Sequence, residues 1–237
     1  MKKSMLILVV FFCNTLFSQL NYSTENDEYI LWQKDRKLKF SDFKGDTLGK
    51  DSDNYKKTNL RVSAYTGIWS ILDVPKKIRQ RGRKLEKVYV APAFQKSTSF
   101  AFINVTAQIA MQQVCFDISE VWARDAREQL KMYQDSIKGY GTLYLFYKTV
   151  INRMKQINSK MLDAYTKDVY INKKPDAFNW RRKTVSKKLR ETEKWATKPE
   201  EFYRLLVGKP IDENYEQSPT VSEDLFEYKP NDKIIKK

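Results

Sequence analysis

Residues 111–115 (Met111, Gln112, Gln113, Val114 and Cys115) set two soft, metal-capable side chains four residues apart. On a helix, positions i and i+4 share a face, so two ligands there can hold one ion. A carboxylate directly after the first can then act as general base on a metal-bound water. Here a thioether and a thiol take the ligand positions, and the Gln112 amide takes the base position, where it accepts no proton at a useful pH. Met111 and Cys115, with a carboxylate such as Asp168, would suit a soft ion such as copper(I). The competing role is core filling, which is ordinary for methionine and for a free cysteine on an apolar helix face. Histidine is absent from all 237 residues, which removes every imidazole-based triad, proton shuttle or zinc site and leaves Cys115 without the usual base. Asp117, Glu120, Asp125 and Glu128 could supply acid–base chemistry. Arg124 and Arg127 are interleaved among them at ion-pair spacing, which reads instead as a solvated, ion-paired face.

The element that must carry this frame has helical period from Val105 to about Lys138, with Met111, Val114, Cys115, Ile118, Val121 and Trp122 on its apolar face. Gly139 and Gly141 stop it. A second helix follows over 143–165, its seam at Leu143, Tyr147, Val150, Met154, Ile157 and Met161. A third over 178–195 is basic outside, and 199–207 is a short fourth. Ahead of these, residues 60–72 alternate as a strand and 88–94 form a second, with Val88 and Val90 facing together. The two make a hairpin whose loop, 76–87, holds Lys76, Lys77, Arg79, Arg81, Arg83, Lys84 and Lys87 against the single Glu86. Residues 38–45 are extended and close in a turn; 21–28 are a loose lead-in. Strands first and helices after predict an α+β fold, a small antiparallel or mixed N-terminal sheet packed against a largely helical C-terminal part.

The flanks of the frame resemble an uncharacterised family of secreted, zincin-like zinc metallopeptidases. In that family the metal helix continues into Phe-Asp-Ile, an acidic residue and Ala-Arg; Phe116–Asp117–Ile118, Glu120 and Ala123–Arg124 match. Its upstream Leu-x-Trp-x-Asp-Phe-x-Gly element is matched by Leu38, Asp42, Phe43 and Gly45, with Phe40 for Trp. Ala64–x–Thr66 and Ser99–Phe100 also fit. Its Asp-Ala-x-Thr-x-His motif is matched by residues 163–168, with Asp168 replacing the His. The resemblance spans about residues 30–195 and implies a zincin-like fold. It also implies that Met111, Cys115 and Asp168 stand at the ligand positions and Gln112 at the base, so the family's hydrolytic activity and its zinc are not inherited.

The first residues read as a signal peptide, 1–18. Lys2 and Lys3 precede a short apolar run over 5–12, and cleavage is placed after Ser18. Residues 22–207 then form a single domain and 208–237 a polar, poorly ordered tail containing Pro210, Pro219 and Pro230. Without 1–18 the chain keeps 42 basic and 29 acidic residues, a net charge of +13, with Cys115 its only thiol and hence no internal disulfide. No later stretch spans a membrane. These features predict an exported, periplasmic or extracellular protein without cofactor: an inactive metallopeptidase-like protein that binds or assembles with an unknown protein or polyanionic partner. Two alternatives are a binder of anionic surfaces and a soft-metal binder. The anionic surface would be membrane headgroup, acidic glycan or nucleic acid, met peripherally through the 76–87 cations with Arg181 and Arg182.

Overall fold

Four antiparallel strands in the order β1-β3-β2-β4 form one sheet: β1 (Tyr29–Leu31), β2 (Val62–Pro75), β3 (Lys87–Ala101) and β4 (Tyr215–Glu223). The structure is a computed structural model that describes residues 23–46, 61–137 and 141–223. The expected signal peptide, residues 47–60, Gly139 and the last residues of the tail lie outside the described residues. The described fold is α+β, and its sheet is entirely antiparallel rather than mixed.

β2 and β3 form the predicted hairpin, with Ser70 opposite Val90 and Thr66 opposite Phe94. Side chains alternate across a strand, so Ile68, Leu72, Val74 and Val90 share one face. Against that face lie α1 (Thr106–Ile137) and α2 (Thr142–Thr166), which contribute Ala123, Ala126, Leu130, Leu143, Tyr147, Val150, Ile151 and Met154. Small alanines on α1 let the helix approach the sheet while the larger side chains of α2 close the outside. α3 (Ala177–Glu191) packs Val185 against Val114, Ile118 and Val121 of α1.

Two expectations are corrected. Strand alternation in β2 ends at Ser70, beyond which both faces are buried. The reason is α4 (Pro199–Val207), whose Phe202 and Leu205 cover Ile71, Ala91, Ala93 and Leu31 on the second face. The segment expected to be a loose tail from 208 instead supplies β4, which pairs with β2 from Ser70 to Pro75. Pro219 is tolerated because β4 has a described neighbour on one side only. Directly after the 21–28 lead-in comes β1, which pairs with β3 through Ile30 and Phe94.

Candidate functional site

α1 runs between sheet and outer helices, so the 111–115 frame meets both. Gln112 is buried and its amide is fully used: Oε1 accepts the Ala64 backbone N–H of β2 at 2.9 Å, and Nε2 donates to the Tyr170 hydroxyl at 2.7 Å. Tyr170 lies in a π-helical turn, Lys167–Ile171, that continues α2. Tyr165 donates its hydroxyl to the Met111 carbonyl at 2.8 Å, and the two tyrosine rings meet edge to face with centroids 6.2 Å apart. Two phenols thus bond to the frame, one at the Met111 backbone carbonyl and one at the Gln112 side chain. Burial, and then the nearby Cys115 thiol, push both phenols well above the usual tyrosine range. Burial likewise pushes the Cys115 thiol up to about 12, so it stays a neutral thiol.

Beside the frame is a cavity of about 390 Å³ between β2 and α2. Six consecutive β2 residues, 63–68, line it, so the cavity follows the edge of the strand rather than one face. β4 pairs with β2 only from Ser70 onward, and among the described residues no strand pairs with that edge between Val62 and Trp69. Gln112 and Cys115 form the floor; Lys155, Asn158, Ser159, Leu162, Asp163 and Thr166 of α2 form the far wall. Asn158 is buried, and its Oδ1 finds no hydrogen-bond partner among the described residues. Sequence reasoning missed Asn158 and both tyrosines as site residues. A signal for Asn158 existed, since it stands four residues from Met154 on the α2 seam and is a polar residue on a buried face.

The flanking motifs hold the site together. Asp117 Oδ1 accepts Trp32 Nε1 at 2.8 Å and Gln113 Nε2 at 2.9 Å, while Gln113 Oε1 accepts the Leu38 N–H at 2.9 Å. Burial raises the Asp117 carboxyl despite those two donors. Asp42 closes the turn at Phe40–Asp42 by accepting the Lys39 N–H, and it takes Arg36 on both oxygens at 2.7 and 3.0 Å. Gly45 donates its N–H to the Ser99 carbonyl at 2.7 Å, and an added Cβ would stand 2.8 Å from that oxygen. Only glycine fits there. Ser99 in turn accepts the Tyr65 N–H at 2.8 Å, which steadies β2 where it borders the cavity.

The centre of the charged face of α1 is not solvated, although Asp125 and Glu128 stay partly exposed. Glu120 and Arg124 are fully buried and paired at 2.7 Å. Glu120 also accepts Thr197 N–H and hydroxyl, and Arg127 at 3.4 Å. Arg124 Nη1 reaches the Leu189 carbonyl at 2.6 Å, and Arg127 donates to the carbonyls of Val90 and Trp195. Of the i,i+4 spacings Glu120–Arg124 forms a pair, while Glu128 faces Lys194 instead; α3, α4 and their connection build a wall over the pair that no local pattern signals.

Asp168 is not gathered with Met111 and Cys115. Its carboxylate pairs with Lys174 at 2.7 Å and Arg181 at 2.8 Å, which hold it below the usual range, and it does not line the cavity. Among the described residues no three of His, Cys, Asp and Glu converge in a way that could hold a metal. A thioether, a neutral thiol and an amide whose atoms are both bonded elsewhere do not fit zinc. The cationic residues also divide. Arg181 is tied to Asp168 at the C-terminal end of α2, with Arg182 beside it over Phe178. Residues 76–87 lie at the other end of β2 and α2. Within that loop Arg81 pairs with Glu216, and Lys87 pairs with Asp212 and caps the Tyr215 ring. Lys76, Lys77, Arg79, Arg83 and Lys84 are exposed, without an ion-pair partner among the described residues.

Among the described residues no helix is long and apolar enough to cross a membrane. Comparison with protein-family models, with curated proteins and with solved structures finds no match to this chain.

Proposed function

We propose that this is an exported, catalytically inactive member of a zincin-like metallopeptidase lineage, retained to bind an extended polypeptide segment in the cleft between β2 and α2. The observation that carries the reading is the state of Gln112. The position that would hold the general base carries an amide, and both its atoms are spent on Ala64 and Tyr170. Beside it the cleft remains open, bordered by a strand edge and by the Asn158 acceptor. A strand edge offers backbone donors and acceptors to an extended chain, and a cleft of about 390 Å³ is the size of an ordinary ligand site. Binding is therefore the reading supported by a frame whose base position holds an engaged amide and whose described residues gather no zinc ligand set.

Two measurements test this. Protein purified without chelator is expected to carry no stoichiometric zinc and to leave unfolded casein intact. Chelator-sensitive cleavage would overturn the inactive reading. Capture of short unstructured peptides by the pure chain is expected to weaken about tenfold in Asn158→Leu, the value of one hydrogen bond to a buried acceptor. Equal capture by both proteins removes the cleft as the binding site.

A further inference from the structure

The cleft occupies one end of β2 and α2; the opposite end carries a different surface, independent of that reading. There the turn of the β2–β3 hairpin meets the tip of the α1–α2 hairpin. Gln134 Nε2 donates to the Glu86 carbonyl at 3.3 Å, and Gly141 lies against the Glu86 carboxylate. Arg81, Gly82, Glu86, Gly141 and Tyr144 line one shared cavity between the two tips. The tips therefore form one continuous end of the molecule.

That end joins two features that seldom coincide. Lys76, Lys77, Arg79, Arg83 and Lys84 stand exposed with no ion-pair partner among the described residues. Among them Ile78 is 78% exposed, and on the helical tip Leu145 is 71%, Met132 61% and Ile137 53% exposed. A loop that merely solvates itself has no use for an isoleucine at its apex, and a nucleic-acid or glycan surface needs none of these aliphatics. An anionic bilayer needs both, since cations meet the headgroups and aliphatic side chains enter the acyl boundary. We infer that this end is a peripheral docking surface for an anionic lipid membrane, with Ile78 and Leu145 as the inserting side chains and the 76–84 cations as the headgroup contacts.

The test uses the full-length chain and two vesicle preparations, phosphatidylcholine alone and phosphatidylcholine with about 30% phosphatidylglycerol, in about 0.1 M salt. Neutral vesicles set the baseline for any partition through residues 5–12. The chain is expected to co-sediment with the anionic vesicles well above that baseline. Replacing Lys76, Lys77 and Arg79 by Gln should weaken this about a hundredfold, from roughly fivefold per cation near the surface. Ile78→Ser and Leu145→Ser should each weaken it about tenfold at unchanged net charge, the loss of a buried aliphatic side chain. All these sites are exposed, so the thermal unfolding of each variant should match the parent. No binding above baseline overturns the inference. Binding insensitive to Ile78→Ser and Leu145→Ser, matched by equal retention on heparin, overturns it in favour of simple attraction to polyanions.

Discussion

Gln112, Cys115 and Gly45 are held by the fold around them, and each makes a measurable claim. Gln112 bridges sheet, helix and π turn through two hydrogen bonds. Gln112→Ala should destabilise the fold by about 1–3 kcal/mol, because it leaves the Ala64 N–H and the Tyr170 hydroxyl without partners; urea titration reads this directly. Cys115, held as a thiol by burial, should be silent to maleimide at pH 8 in a Cys13→Ser background and react only on unfolding. Rapid labelling of the folded chain would show the floor of the cleft to be far more open than its burial indicates. At Gly45, a methyl group pressed onto the Ser99 carbonyl has backbone on both sides and nowhere to move. Gly45→Ala is therefore expected to cost about 1–3 kcal/mol in the same titration.

At the scale of elements, α1 anchors the others through charge buried on it. Glu120, Arg124 and Arg127 tie the stretch from Leu189 to Glu201 down onto the helix. Removing one partner of a buried pair leaves the other uncompensated, so Glu120→Ala should cost about 3–5 kcal/mol. Glu201 answers differently. It closes the first turn of α4 by accepting the Lys198 N–H, and it lies 3.3 Å from Arg127. Burial outweighs that cation and raises its carboxyl from 4.5 to about 7. A carboxyl raised on folding binds its proton more tightly in the native state. Its contribution to stability is thus complete below about pH 4.5 and lost as pH rises through about 7. Glu201→Gln should flatten the stability profile across that window and match or exceed the parent at pH 8. A variant profile that still falls between those pH values would assign the slope to another group.

For the molecule as a whole, β4 ties the segment after α4 back onto the sheet. Tyr215 donates its hydroxyl to the Leu85 carbonyl, Glu216 pairs with Arg81, and Gln217 reaches Arg204, whose guanidinium is clamped at 2.7 and 2.8 Å to the buried Asp73. A chain ending at Val207 loses that strand and should melt about 10 °C below one ending at Glu223, from a loss of roughly 3 kcal/mol or more. Equal melting of both would make β4 an ornament of the sheet. The same strand also bears on both proposed surfaces. Among the described residues it covers β2 only from Ser70, and its Glu216 pairs with Arg81 of the basic loop, while Lys87 is held by Asp212 just ahead of the strand.

Local period and composition were enough to determine the four helices, the β2–β3 hairpin and the α+β class, because helix and strand each impose their repeat on the residues that form them. They also determined the limits on chemistry, since a chain with no histidine and an amide at the base position lacks those groups in any conformation. The tertiary structure decided what covers each face. Glu120 and Arg124 have the spacing of an exposed pair, yet they lie under α3, α4 and the connection between them, and no local pattern reports a wall built 65 or more residues away. Asp168 has the right place in a motif, yet Lys174 and Arg181 take it first. The polar, proline-bearing stretch after Val207 reads as a tail, yet part of it completes the sheet, because pairing with β2 supplies the burial its own sequence lacks. Burial and partnership arise from long-range contact, and these make Gln112 a brace between Ala64 and Tyr170 at the floor of the cleft.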